Sequence, residues 1–101
     1  MSEYYDRQGH PIATMQEWRR RRESERRVAE TTLSDGKWVS TVWLGLDHSF
    51  GSGPPLIFET MVFDREKSGM SDLDCDRYST EAEALAGHAA MVEKWSRPPK
   101  A

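Results

Sequence analysis

Cysteine is almost missing from this chain: Cys75 is the only one, so no internal disulfide is available. Long apolar runs are missing too. None approaches the ~20 residues of a membrane-spanning helix, and no contact with a membrane is expected. There is no basic surplus, since 14 Lys and Arg face 17 Asp and Glu for a formal net charge of −3. A strongly basic nucleic-acid binder is therefore not the expectation. The opening Met1-Ser2-Glu3-Tyr4-Tyr5-Asp6 lacks the basic-then-apolar layout of a secretory signal, and the expected location is the cytoplasm. No His-Glu-x-x-His, paired Cys-x-x-Cys, phosphate loop or dinucleotide fingerprint occurs, so no reaction class and no cofactor is indicated.

What is present fits one small domain. The 101 residues match the usual domain size, and residues 1–101 are read as a single α+β unit. Four Trp, three Tyr and three Phe supply much of the core, because each aromatic buries about 150–250 Å². Residues 1–13 read as a turn segment: Asp6-Arg7-Gln8-Gly9 places Asp and Gly where a tight turn uses them. Thr14-Met15-Gln16-Glu17 matches a capping box, predicting a short helix from Met15 to about Glu25 that depends on docking through Trp18.

Strands follow. Arg27–Leu33 and Lys37–Leu46 flank Asp35-Gly36, a strong hairpin signal. Along the second strand Trp38, Ser40 and Val42 fall on one face and Val39, Thr41 and Trp43 on the other. Asp47–Pro55 is a Gly/Pro-rich connection, and Leu56–Phe63 forms a third strand. Residues 64–77, with five Asp/Glu, read as an acidic loop and mobile linker. A second capping box, Thr80-Glu81-Ala82-Glu83, opens the last helix. Leu85, His88, Val92 and Trp95 give it one apolar stripe. The expected architecture is a meander of three strands or more, a C-terminal helix packed on one face and a shorter N-terminal helix. The strand through Trp43 and the stripe ending at Trp95 are expected to share a core.

The run Arg19-Arg20-Arg21-Arg22 is the plainest charge feature: between Thr14 and Arg27 six Arg stand against three Glu. Arg19 and Arg22 are candidates for gripping phosphate. Against this, Glu17–Arg21, Arg19–Glu23, Arg21–Glu25 and Glu23–Arg27 are i,i+4 pairs that would neutralise much of the patch. Helix, three strands, helix is also the order of double-stranded-RNA-binding domains. Those put lysines where this chain has Ser79-Thr80-Glu81-Ala82-Glu83, so nucleic acid is not expected. Asp47, His48 and His88 would form a 2-His-1-carboxylate set if they met, although a packed core histidine at 88 is the plainer reading. Cys75 lies among Asp72, Asp74 and Asp76, which should raise its pKa. The same acids resemble half of a calcium loop without its glycine. Phe50 anchors the Gly-rich Ser49–Gly53 loop, a candidate contact point.

Val39-Ser40-Thr41-Val42-Trp43-Leu44-Gly45-Leu46-Asp47-His48, Pro55-Leu56-Ile57-Phe58-Glu59-Thr60-Met61-Val62-Phe63 and Arg77-Tyr78-Ser79-Thr80-Glu81-Ala82-Glu83-Ala84-Leu85-Ala86-Gly87-His88 resemble small, uncharacterised proteins encoded by bacteriophages and prophages. The resemblance implies a viral accessory protein of the bacterial cytoplasm and carries no activity. The leading expectation is a non-enzymatic module that binds a host or viral protein, with a homodimer as one form. Its motive is the placement of Trp38 and Trp43 on opposite strand faces with one long helix to cover them. One alternative is a small metal- or ligand-binding protein or enzyme using Asp47, His48 and His88. Another is an inhibitor of a host nucleic-acid-guided defence complex.

Overall fold

A computed structural model describes residues 3–48, 53–64 and 72–96. Strands β1 (Tyr4–Tyr5) and β2 (Pro11–Ile12) form a two-stranded hairpin. Its turn is held by the Asp6 carboxylate, which accepts from the Gln8 and His10 N–H groups at 3.0 and 2.8 Å. Helix α1 (Met15–Glu25) starts at Thr14, whose hydroxyl accepts the Glu17 N–H at 3.2 Å. Four strands follow in a simple antiparallel meander: β3 (Arg27–Thr32), β4 (Lys37–Trp43), β5 (Phe58–Asp64) and β6 (Asp72–Tyr78). Helix α2 (Glu81–Ser96) packs across one face of this sheet. The class is α+β.

The hairpin between β3 and β4 turns where Asp35-Gly36 predicted it. The Gly36 N–H donates to Leu33 O at 3.0 Å, the Leu33 N–H donates to Lys37 O at 2.7 Å, and Gly36 takes φ +92°. Such a left-handed position costs glycine little.

The acidic linker expected at 64–77 is corrected in its second half. Asp72–Tyr78 pairs with β5 as a fourth strand, and residues 65–71 lie outside the described residues. Asp is a poor strand former, yet β6 is an edge strand, and charge on an edge discourages unwanted pairing. The half calcium loop falls with it. In the strand, the Asp74 carboxylate accepts from Lys94 Nζ at 2.7 Å and Trp95 Nε1 at 3.0 Å, tying the edge to α2.

The stripe of α2 holds at His88, Val92 and Trp95, which face the core, and is corrected at Leu85. Ala84, His88 and Met91 are its buried residues, and Leu85 is 48% exposed. Small side chains turn that face inward: Ala84 lies against Trp43 and Phe58, and a Cβ on Gly87 would collide with the Tyr78 hydroxyl.

The core is split in two. Trp43 and Phe58 lie with Ile12, Ile57 and Ala84, flanked by Tyr4, Tyr5, Trp18, Val28 and Tyr78. Val39 and Val62 lie with Leu33 and Met91, flanked by Val92 and Trp95. Trp43 and Trp95 therefore do not share one apolar cluster, contrary to expectation. Polar residues of α2, β3, β4 and β5 lie between the halves, while β4, β5 and α2 run through both.

Candidate functional site

Four of the seven candidate site residues are built into the fold. Trp43 is fully buried and its indole N–H donates to Tyr5 O at 3.1 Å, so it holds the core and offers no contact surface. Asp47 pins the neck of the β4–β5 connection: its carboxylate accepts the Leu56 N–H at 3.0 Å, and the His48 N–H donates to Leu56 O at 3.0 Å. Phe50 lies outside the described residues.

His88 is buried in the middle of the sheet face under α2. Its Nδ1 lies 2.7 Å from Thr41 Oγ1 and its Nε2 lies 2.9 Å from Thr31 Oγ1. Thr41 Oγ1 is in turn 2.6 Å from Thr60 Oγ1. A continuous polar seam thus crosses β3, β4 and β5 under α2, between the two half-cores. Burial pushes the His88 pKa below its ordinary value. Burial is the first cause that raises the Tyr78 hydroxyl, with the Asp76 charge next.

Asp47, His48 and His88 do not converge. Among the described residues no three His, Cys, Asp or Glu side chains are grouped to hold a metal ion. The physical reason is reach: His88 is engaged by threonines at the centre of β3 and β4, whereas Asp47 and His48 have already left β4 through Gly45. The Cys75 thiol is not activated either. The residue as a whole is exposed, but burial of its thiol, and next the Glu59 carboxylate, push its pKa up to about 11. Little thiolate then exists at neutral pH.

Helix α1 is docked through Trp18, whose indole N–H donates to Leu44 O at 3.0 Å and whose ring lies 5.1 Å from that of Tyr4. Gly45, at φ +73°, has no room for a Cβ because Trp18 and Trp43 close over it. Arg7 ties the hairpin to both helices, donating to Glu81 Oε1 at 2.7 Å and to Glu25 O at 3.2 Å. Of the expected i,i+4 pairs, Glu17–Arg21 forms at 2.9 Å, and Glu17 also takes Arg20 at 2.7 Å. Those arginines, Arg20 first, hold the Glu17 carboxyl below its usual range. Arg27 turns instead to Glu30 at 3.3 Å.

The sheet face opposite α2 carries a patch of half-buried apolar side chains, which sequence reasoning reached only through Trp38. Cross-strand register brings Trp38 beside Phe63, Ser40 beside Met61 and Val42 beside Glu59, with Cys75 and Arg77 next on β6. The Trp38 and Phe63 rings lie 5.4 Å apart. Trp38, Val42, Met61 and Phe63 are half-buried, and Leu73 is 36% exposed. Among the described residues neither helix packs there: α2 covers the Trp43 side, and α1 sits on β1 and β2. Charged pairs flank this surface, Arg27 with Glu30 on one edge and Arg77 with Glu59 at 2.9 Å near the other.

No family model, curated protein or solved structure matches the chain. None of the helices described is long and apolar enough to cross a membrane.

Proposed function

We propose that the protein is a small binding module that acts by contact with a protein surface and performs no catalysis. The observation that carries this reading is the half-exposed apolar face around Phe63, Met61 and Val42 on the side of the sheet away from α2. A sheet with one face on the core commonly leaves the other polar; an apolar one is a contact surface. As an accessory protein of phage type it would meet its partner in a bacterial cytoplasm, and inhibition of a nucleic-acid-guided defence complex is a special case that predicts co-purification with that complex.

The occupant that suits the face best is a second copy of the chain, packed sheet on sheet. The flanking charges are two Arg and two Glu, each already paired within the chain, so two such faces meet without like-charge repulsion. Area sets the strength. Four strands at ~4.8 Å spacing and ~3.4 Å per residue make a face of roughly 450 Å². That is about half of the ~800 Å² each partner gives to a standard interface. The association is therefore weak and concentration-dependent.

Light scattering from micromolar to millimolar concentration should show the mass climbing toward that of a dimer. Met61→Lys, which places a charge at the centre of the face, should hold the protein monomeric with its far-UV spectrum intact. A wild-type mass that stays monomeric throughout, or a Met61→Lys variant that associates as well as wild type, refutes the sheet-on-sheet reading.

A further inference from the structure

Seven of the chain's arginines belong to the region from Arg7 to Arg27, and four of them are satisfied by carboxylates: Arg7 by Glu81, Arg20 and Arg21 by Glu17, and Arg27 by Glu30. The other three are Arg19, Arg22 and Arg26. Spacings of three and four put them on one face of α1, and no carboxylate among the described residues pairs with them. With Trp18 and Glu23 they line an open cavity of about 430 Å³.

Arg22 is the least exposed of the three arginines lining this cavity. Its guanidinium lies 5.7 Å from the centroid of the Trp18 ring, and its Nε is buried with no hydrogen-bond partner. Burial, and next the like charge of Arg26, lower its pKa. A cation in the last turn of a helix is favoured by the helix dipole, which accounts for a charge at 22 or 26. It does not account for a shielded N–H with nothing to accept it, because a buried donor left unmade is costly, more so on a charged group.

We propose that this groove binds a compact phosphomonoester, with the Arg22 fork as its central contact and Arg19 and Arg26 flanking it. Guanidinium groups recognise phosphate through paired, charge-assisted bonds, and the cavity falls in the range of roughly 300–1,000 Å³ usual for small-molecule sites. Charge selects the ligand. Three arginines and one glutamate give the groove +2, which matches a phosphomonoester of about −1.5 to −2 at neutral pH. The chain as a whole carries −3, so everything outside the groove sums to −5. That acidic background disfavours a long polyanion more than a compact dianion.

The test is a titration of the full chain with phenyl phosphate at fixed ionic strength, read by NMR on the arginine Nε–H signals. The Arg22 Nε–H signal should shift saturably, and chloride at equal ionic strength should not reproduce the shift. Arg22→Lys keeps the charge but loses the fork, and should weaken binding at least tenfold; Arg20→Lys, at an arginine held by Glu17 outside the groove, should leave it unchanged. Should Arg22→Lys unfold, Arg19→Gln on the exposed rim provides the second variant, with a several-fold loss expected. Absence of a saturable shift overturns the proposal. So does equal weakening by Arg20→Lys, which would mean diffuse charge attraction, and so does tighter binding of a short single-stranded DNA than of phenyl phosphate, which would mean a nucleic-acid surface.

Discussion

His88 faces threonine hydroxyls on both ring nitrogens, and a hydroxyl serves as donor or acceptor. The neutral ring is therefore satisfied in either tautomer. A protonated ring would bring a charge into the core with no carboxylate among its bonded partners, which is why burial depresses its pKa. The sign of the pH effect follows. The unfolded chain takes up this proton near the ordinary histidine value of about 6.5, and the folded chain does so only at lower pH. The stability tied to the neutral ring is complete above the ordinary value and is lost as pH falls through it toward the folded one. The urea midpoint should accordingly drop between neutral pH and pH ~5, and His88→Gln should remove most of that slope. An unchanged slope in the variant would assign the titration elsewhere.

Helix α1 cannot stand alone. At 11 residues it is shorter than the roughly 12–15 at which isolated helices become even marginal, and it has no buried residue. Its placement rests on the Trp18 indole over Gly45 and on the Arg7 bond to its last turn. Trp18→Ala should cost about 3 kcal/mol in urea titration, near the lower end for truncating a packed aromatic, and amides of residues 15–25 should lose exchange protection first. A stability change within ~0.5 kcal/mol, the usual range for surface substitutions, would show that the helix is held by something else. The bounds of this element were legible because Thr14 announces the start and the aromatic anchor is visible in the sequence. Strand β6 was not legible. Alternating acids read as a loop until β5 offers a hydrogen-bonded neighbour, and pairing of that kind overrides local propensity. The inward face of α2 was legible at His88, Val92 and Trp95 but misread at Leu85, for a related reason. Ala84 and Gly87 look too small to matter, yet small residues are what allow the helix to approach Tyr78 and Phe58. From 19 to 27 the sequence shows six arginines and the carboxylates that could answer them; only the fold shows that Glu17 takes Arg20 and Arg21 and that Glu30 takes Arg27, leaving Arg19, Arg22 and Arg26 together.

A core divided by polar residues raises the question of whether the molecule unfolds as one unit. Both half-cores share β4, β5 and α2, so neither can open without stripping the strands of the other. Melting should be two-state, with coincident midpoints from far-UV circular dichroism and tryptophan fluorescence; separated midpoints would make the halves independent. The proposed sheet-on-sheet dimer belongs to this scale too, since its surface exists only once four strands have assembled in register.

The threonines crossing the middle of the sheet bear on that register. Thr41 stands directly across from Thr60, and both are fully shielded from water. If β5 slid by a single residue against β4, Thr60 would swing to the outer face, the Thr41 hydroxyl would lose its contact with Thr60, and Glu59 or Met61 would turn inward in its place. An entirely oily interior would forgive such a slip. This one penalises it, so the hydroxyl ladder acts as a key that lets the strands close in one alignment and no other.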